Sequence, residues 1–189
     1  MPAMPSLKVA TDDAGLRASG AGAREMGAGE TQDDAAMREE EIRLAQQMLF
    51  FAYRDFTRSA DLVLEELGMG RAHHRALHFI GRHPGITVSD LLSLLGITKQ
   101  SLARVLSALL DQEYVIQEAG TADRRQRLLT LTEKGAEFER RLFERQRDKL
   151  SAAFAAAGTS AVDGFRRVMR QLMDEQAKLY LDRGNPRLR

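Results

Sequence analysis

The sequence predicts a mainly α-helical fold with one small β-hairpin (α+β), and three observations support this. Apolar residues recur every three or four positions along several long stretches, as they do in amphipathic helices. Two of the helical stretches meet at a tight turn, Gly96. Directly after them come two short segments with strand character, joined by a loop that contains Gly120.

Composition limits what the chain can do. It has no cysteine, which excludes disulfides, thiolate catalysis and cysteine-based sensing. The 28 basic and 27 acidic residues leave a formal net charge of +1, so bulk charge does not indicate a nucleic-acid binder. No stretch approaches the roughly 18 apolar residues of a membrane span, and no signal peptide is evident. We therefore expect a cytoplasmic protein without membrane association.

The first predicted helix follows an N-terminal tail. Residues 1–36 are rich in Ala, Gly, Pro and acids and lack apolar periodicity, so we expect them to be disordered or loosely ordered. Residues 37–67 should form one long helix that Gly68 and Gly70 end. Its principal apolar line is Ile42, Ala45, Leu49, Ala52, Phe56, Ser59 and Val63. A second line, Leu44, Met48 and Phe51, lies beside it, so one face of the helix should pack on the core and the other on a partner subunit.

Three short elements should follow. Residues 71–82 read as a helix, which Pro84 and Gly85 prevent from continuing. A very short strand is expected at Ile86–Val88, with Thr87 or Ser89 near the cap of the next helix. That next helix is apolar and covers residues 88–95.

The C-terminal part of the chain predicts two more helices. Thr132 should cap the first, which runs to Ala157 and is broken by Gly158. The second should cover residues 160–182, with a line of heptad-like spacing formed by Phe165, Val168, Leu172 and Leu179. Helices 37–67 and 132–182 each have an apolar seam to spare, which predicts a homodimer joined through both chain ends. Residues 183–189 would be a short C-terminal tail.

Residues 98–113 form the helix most informative about function. Its buried face should contain Leu102, Val105, Leu106, Leu109 and Leu110. Polar side chains suited to DNA bases and phosphates gather on the other face, in the first two turns: Thr98, Lys99, Gln100, Ser101 and Arg104. An ordinary solvated helix face would explain this helix alone equally well.

The hairpin favours DNA binding. Its strands are predicted at 114–118 and 126–131, and the loop between them contains Asp123, Arg124 and Arg125, with Arg127 just beyond it. Three arginines within four residues repel one another unless an anion is near. Asp123 can hold one guanidinium in a bidentate pair, while another projects into a narrow minor groove. A solvated charge run remains the alternative, but the helix pair directly upstream makes residues 71–131 a DNA-binding lobe.

The sequence resembles the MarR family of bacterial winged helix-turn-helix transcriptional regulators from Met37 to Asp182. The strongest marker is D-R-R-Q-R-L-L-T-L-T-E-K-G, from Asp123 to Gly135, which matches the family's D-x-R followed by L-T-x-x-G. The stretch I-T-K-Q-S-L-A-R-V-L matches its recognition helix. In this resemblance the hairpin is the wing.

The resemblance implies a sequence-specific regulator, a repressor in our interpretation, that binds an inverted repeat in double-stranded DNA as a homodimer. Asp123 would be the orienting acid of the wing and Arg125 its minor-groove arginine, with Arg124 and Arg127 on phosphates. The five polar residues from Thr98 to Arg104 would face the major groove.

Two hypotheses concern a regulatory signal, and no cofactor is expected. A small-molecule effector would bind between the dimerisation helices and the DNA-binding lobe, at the candidate lining residues Phe50, Tyr53, Phe56, Arg71 and His74. Alternatively, His73, His74 and His78 form a zinc or haem site, since His74 and His78 share a helix face. In the remaining alternative, a regulator without any ligand, the aromatics are core residues and the histidines are polar spacers or phosphate contacts.

Other classes of protein fit the sequence less well. An enzyme would need a catalytic constellation, and neither a nucleophile elbow nor a phosphate-binding loop is present. A winged helix used only for protein contact would not need three wing arginines. A nonspecific architectural DNA binder would be far more basic than +1.

Overall fold

Over the residues that it describes, 32–120 and 123–184, the computed structural model has seven helices and one antiparallel sheet. The order along the chain is α1 Gln32–Glu65, α2 Arg71–Arg82, β1 Ile86–Thr87, α3 Val88–Leu95, α4 Lys99–Asp111, β2 Val115–Ala119, β3 Arg127–Leu131, α5 Glu133–Ala157, α6 Thr159–Leu172 and α7 Glu175–Gly184. The predicted fold class is confirmed. The predicted tail falls outside the described residues up to position 31, but residues 32–36 belong to α1, which starts earlier than predicted.

Two compact units divide the chain, Met1–Ala45 and Gln46–Arg189. In the described part of the first unit, α1 exposes three large apolar side chains, Met37, Ile42 and Leu44. The second unit contains the rest of α1 and every other element.

Helix α2 is the centre of the second unit, and α3, α4, α5 and β3 all pack against it. The largest fully buried side chains come from every one of these elements: Leu64, Leu77, Ile80, Leu91, Leu102, Leu109, Val115, Leu129 and Leu142. Each contributes about 1.5–3 kcal/mol by leaving water, so burial of these residues is the main source of stability. The central strand of the sheet is β3, with β1 and β2 on either side.

Three threonines cap helices in the same way. The hydroxyl groups of Thr87, Thr98 and Thr132 accept hydrogen bonds from backbone N–H groups three residues later. This pattern satisfies one of the free N–H groups at each helix start. Thr132 therefore caps α5 as predicted, and at α3 the cap is Thr87 rather than Ser89.

The expectation for the core face of α1 is wrong over most of its length. Leu49 is 43% exposed, and the buried residues of the helix are Thr57, Ala60 and Leu64. Within the second unit, α5 packs along the last turns of α1. Gln146 and Lys149 donate hydrogen bonds to backbone oxygens at the start of this region, Phe56 O and Asp55 O, at 3.4 and 2.8 Å.

The single helix predicted over 160–182 is two helices. Met173 has extended backbone angles (φ −83°, ψ 148°), which end α6. The Asp174 carboxylate then accepts a hydrogen bond from the N–H of Ala177 at 2.7 Å and caps α7. This local bond to the backbone competes with continuation of the helix. The apolar line Phe165, Val168 and Leu172 therefore does not continue on the same helix to Leu179.

One junction joins α4, the hairpin and α5. The hydroxyl of Thr132 donates to Glu113 O at 2.7 Å, and its N–H donates to Tyr114 O at 3.1 Å. Gly135, in the first turn of α5, lies so close that a Cβ there would be 1.9 Å from Tyr114 O. Lys134 completes the contact by donating to Gln112 O at 2.7 Å. The L-T-x-x-G motif is thus the point where the long helix α5 is fixed to α4 and the hairpin.

Replacing Gly135 by alanine should destabilise the protein because the new methyl group overlaps the Tyr114 carbonyl. We expect the free energy of unfolding to fall by at least about 1–3 kcal/mol, the usual cost of overpacking. Urea denaturation at one fixed protein concentration measures this change.

Gly164, within α6, provides the matched control. A Cβ there meets nothing within 4 Å. Gly164→Ala should therefore raise the free energy of unfolding by about 0.5–1 kcal/mol, through loss of glycine's flexibility in the unfolded chain. A Gly135→Ala variant as stable as the wild type would contradict the role of the junction.

Candidate DNA interface

The helix pair α3–α4 is joined by a short turn. Gly96 adopts the left-handed conformation (φ 61°) that ends α3, and Thr98 caps α4. Within α4, Leu102, Val105, Leu106 and Leu109 are buried as predicted, and Leu110 is only half-buried. This buried face attaches α4 to the hydrophobic core.

The five candidate residues at the start of α4 are all exposed. Two of them, Thr98 and Ser101, bond to each other, because the Thr98 hydroxyl donates to Ser101 Oγ at 2.9 Å and accepts from Ser101 N at 3.1 Å. Lys99, Gln100 and Arg104 have no side-chain hydrogen bond within the described part of the chain. Their donors are therefore available to a ligand.

The tip of the hairpin is closed by backbone hydrogen bonds. Gly120 N donates to Gln126 O, and Gln126 N donates to Asp123 O, both at 3.0 Å. A Cβ at Gly120 would be 2.7 Å from Asp123 O, so this close approach requires glycine. The two strands pair from Val115↔Leu131 to Ala119↔Arg127.

Asp123 acts on the backbone and not on a guanidinium, which corrects the predicted bidentate pair. Its Oδ1 accepts a hydrogen bond from the N–H of Arg125 at 2.9 Å. When Asp123 bonds to the backbone two residues ahead, only its own short side chain is fixed. A pair with a guanidinium would also fix the torsions of a long arginine side chain. Arg124, Arg125 and Arg127 are exposed, and among the described residues no carboxylate pairs with them. The wing thus presents three uncompensated positive charges.

A cavity of about 530 Å³ is formed by α1, α2 and α5 of the second unit. It is lined by Tyr53, Phe56, Thr57, Arg71, His74, Arg75, His78, Phe79, Glu139, Phe143, Gln146, Arg147 and Leu150. Four of the five lining residues predicted from sequence are present, and Phe50 is not. Phe50 is 65% exposed. It precedes the part of α1 that bonds to α5 at Asp55 O and Phe56 O.

Sequence reasoning missed the wall contributed by α5. Glu139, Phe143, Gln146 and Leu150 lie at spacings of four, three and four, which places them on one helix face. That periodicity was a usable signal, but it could not show that the face meets α2.

Polar groups of the cavity are largely paired. Arg71 holds the Asp61 carboxylate through Nε and Nη2 at 2.8–3.1 Å, and this hydrogen bonding raises the pKa of Arg71. His78 Nδ1 lies 3.2 Å from Glu139 Oε1. Burial lowers the pKa of His74, and the nearby His78 lowers it further, against the opposing effect of Glu139 and Asp61.

The histidines do not form one cluster. His73 Nδ1 accepts from Gly70 N at 3.1 Å, and the His83 ring packs on Tyr180 with ring centres 4.5 Å apart. Only His74 and His78 line the cavity. Within residues 32–120 and 123–184, no group of three His, Cys, Asp or Glu side chains is arranged to hold a metal ion.

A second cavity, of about 460 Å³, lies beside His83 and Tyr180 and was not anticipated from sequence. The Tyr180 hydroxyl is buried there without a hydrogen-bond partner in the described structure. Among the helices described, none combines the length and the apolar content needed to cross a membrane.

The helix pair α3–α4 and the hairpin β2–β3 together define a winged helix-turn-helix protein. Comparison with known proteins agrees. A sequence model described as the MarR family matches residues 67–126. The HTH-type transcriptional regulator PetP of Rhodobacter capsulatus is 51% identical over 138 residues, which cover 73% of this chain and 83% of that protein. The chain belongs to the MarR family of DNA-binding transcriptional regulators.

Solved structures show the same fold. A MarR family regulator from Silicibacter pomeroyi has a TM-score of 0.59 and 19% identity, and the match covers 68% of this chain and 86% of that one. A mutant MarR from E. coli, crystallised with operator DNA, has a TM-score of 0.56 and 20% identity, covering 71% and 96% of the two chains.

The lowered pKa of His74, which is half-buried, predicts that the stability of the protein depends on pH. With its pKa lowered in the folded protein, the unfolded chain takes up a proton first as the pH falls below the ordinary value of 6.5. The stability linked to neutral His74 is therefore present above that value and lost below it. His73 and His83 act in the same direction, because burial also lowers their pKa values.

Between about pH 7.5 and pH 5.5, the wild type should consequently lose more free energy of unfolding than a His74→Gln variant does. Urea denaturation measures the free energy of unfolding of both proteins at each pH. The difference between the two proteins at the higher pH gives the effect of the substitution on packing and is subtracted. Equal losses in the two proteins would show that His74 is not the group responsible.

Proposed function

We propose that this protein is a sequence-specific repressor that binds an inverted-repeat operator as a homodimer. The observation that carries the proposal is the exposed charge of the winged helix. Lys99 and Arg104 on α4 and Arg124, Arg125 and Arg127 on the wing have no carboxylate partner within the described residues. An anionic surface such as the phosphate backbone compensates such an arrangement.

The start of α4 is assigned to the major groove. Gln100 suits adenine, and Lys99 and Arg104 suit guanine, because their donors and acceptors match those base edges. Thr98 and Ser101, which bond to each other, fix the first turn and add contacts to the backbone. The operator complex of the E. coli relative supports DNA as the ligand of this fold.

The wing is assigned to the neighbouring minor groove. Asp123 orders the tip by accepting the Arg125 N–H, and the Arg125 guanidinium has no carboxylate partner among the described residues. Arg125 then enters the groove, where a narrow A·T-rich segment has the most negative potential. Arg124 and Arg127 bind the flanking phosphates.

The dimer is inferred from large apolar side chains that remain exposed in the second unit. Met48, Leu49 and Phe51 on α1, and Phe165, Val168 and Leu172 on α6, are 43–62% exposed. Large apolar side chains that are exposed together on one helix in this way favour an interface. In a two-fold dimer the recognition helices would enter successive major grooves ~34 Å apart, and occupation of a promoter would exclude polymerase.

A small-molecule effector is the second candidate feature of this function. The 530 Å³ cavity falls within the roughly 300–1,000 Å³ typical of ligand sites. Its aromatic walls and cationic groups suit an aromatic or anionic ligand. A metal- or haem-responsive regulator has weaker support, because His74 and His78 have no third ligand among the described residues.

Footprinting on the DNA that flanks the gene should reveal protection of an inverted repeat. Arg125→Ala should weaken binding to that site sharply and lower the salt dependence by about one phosphate contact. Fluorescence anisotropy at several salt concentrations measures both effects. Arg140→Ala is the control, since Arg140 forms only an exposed pair with Glu144 on α5. Equal affinities of the Arg125 and Arg140 variants would refute the wing assignment.

Self-association can be tested by placing a charge on the apolar surface of α6. Val168→Asp should convert the dimer into a species near 21.1 kDa in sedimentation velocity at micromolar concentration, because an interface excludes an unpaired carboxylate. Ile116→Asp is the control, since it alters an exposed apolar residue on β2. A wild type that already sediments as a monomer would overturn the dimer.

A further inference from the structure

Arg75 connects the cavity to the helix-turn-helix. It lies on α2 and lines the 530 Å³ cavity. Its Nη2 donates a hydrogen bond to the backbone oxygen of Leu95 at 2.7 Å, across 20 positions of the chain. Leu95 is the last residue of α3. One side chain therefore contacts both the candidate effector site and the end of the helix that precedes the recognition helix.

The Leu95 carbonyl is a favourable acceptor for a cation. The last carbonyls of a helix lack partners within the helix, and they form the negative end of its dipole. Gly96 ends the helix with its N–H bonded back to Leu92 O at 3.1 Å, and the next free carbonyl, Leu95 O, accepts from Arg75. Because only Gly96 and Ile97 separate Leu95 from the cap residue Thr98, fixing Leu95 also fixes the start of α4.

Arg75 differs from the other arginines of the cavity wall. Arg71 is paired with Asp61, and Arg147 is paired with Asp148. Among the lining arginines that the structure describes, Arg75 is the one whose acceptor is a neutral carbonyl and whose charge is uncompensated. The bond to Leu95 O has a charged donor and a neutral acceptor, whereas a carboxylate would add the attraction of opposite charges and could accept two parallel N–H bonds from the guanidinium. A carboxylate in the cavity would therefore compete for Arg75 and leave the paired arginines in place.

We propose that Arg75 is a positioning residue through which a carboxylate ligand in the cavity acts on the recognition helix. The bound carboxylate draws the guanidinium away from Leu95 O, the turn at Gly96–Thr98 loosens, and α4 loses the fixed start that DNA binding requires. The release of DNA by this route rests on the proposed function. The link between Arg75 and the turn does not, and it is measurable without DNA.

The first experiment is hydrogen–deuterium exchange on the full-length protein without ligand. Arg75→Met should accelerate exchange of the amides from Gly96 to Leu102 by about tenfold, with the rest of the core unchanged. Arg82→Met, on the same helix with the same change of charge, should leave this segment as in the wild type. Arg75→Lys, which can still donate to Leu95 O, should restore most of the protection.

Unchanged exchange in Arg75→Met, or acceleration spread over the whole core, would overturn the positioning role. If Arg75→Met does not fold, Arg75→Ala takes its place: faster exchange confined to Gly96–Leu102 supports the role, and exchange equal to that of Arg82→Met, or faster throughout the core, refutes it.

The second experiment uses benzoate as the probe, because it combines a carboxylate with an aromatic ring. Calorimetry should show that benzoate binds the wild type, and exchange in Gly96–Leu102 should then increase as it does in Arg75→Met. The variant itself should show no further increase. Absence of benzoate binding, or binding with unchanged exchange, would overturn the coupling. Failure of the wild type to bind any flanking DNA would refute the proposed function alone, since both exchange measurements use the free protein.

Discussion

The contact between Gly135 and the Tyr114 carbonyl determines how the parts of this protein are joined. The end of α4, the first strand of the hairpin and the first turn of α5 meet there, and Thr132 bonds to two successive carbonyls, Glu113 O and Tyr114 O. No side chain fits between them, because a Cβ at position 135 would lie 1.9 Å from the oxygen. The recognition helix and the wing are therefore fixed to one long helix, and a shift of α5 moves both.

Electrostatics act locally in this protein and not through its net charge. The formal charge is only +1 because basic and acidic residues are nearly equal in number, and several cations lie beside an acid, as Arg71 does beside Asp61. The tip of the wing departs from this pattern, because the carboxylate of Asp123 bonds to a backbone N–H and not to a guanidinium. The three arginines are left without a carboxylate partner among the described residues, so a nearly neutral chain can present a locally positive tip.

Helix α2 contributes to both the hydrophobic core and the 530 Å³ cavity. Helix α2 fills the centre of the core with Leu77 and Ile80, while the polar residues on its other side line the cavity. Its Arg75 reaches α3. A structural change in the cavity would therefore act directly on α2, the helix at the centre of the core. Such a connection is needed for coupling between the cavity and the helix-turn-helix.

The sequence by itself determined the local elements, the caps and the charged wing, because each depends on neighbours a few positions apart: α2 and α3 have their predicted bounds, and Thr132 caps α5. The D-R-R and L-T-x-x-G motifs also identified the family. Tertiary structure decided what depends on distant residues. Which turns of α1 are buried was set by α5, the cavity wall at Glu139 and Phe143 by the meeting of α2 and α5, and the bond from Arg75 to Leu95 by the packing of two helices. Periodicity gives the faces of a helix, but only the packed chain shows what each face meets.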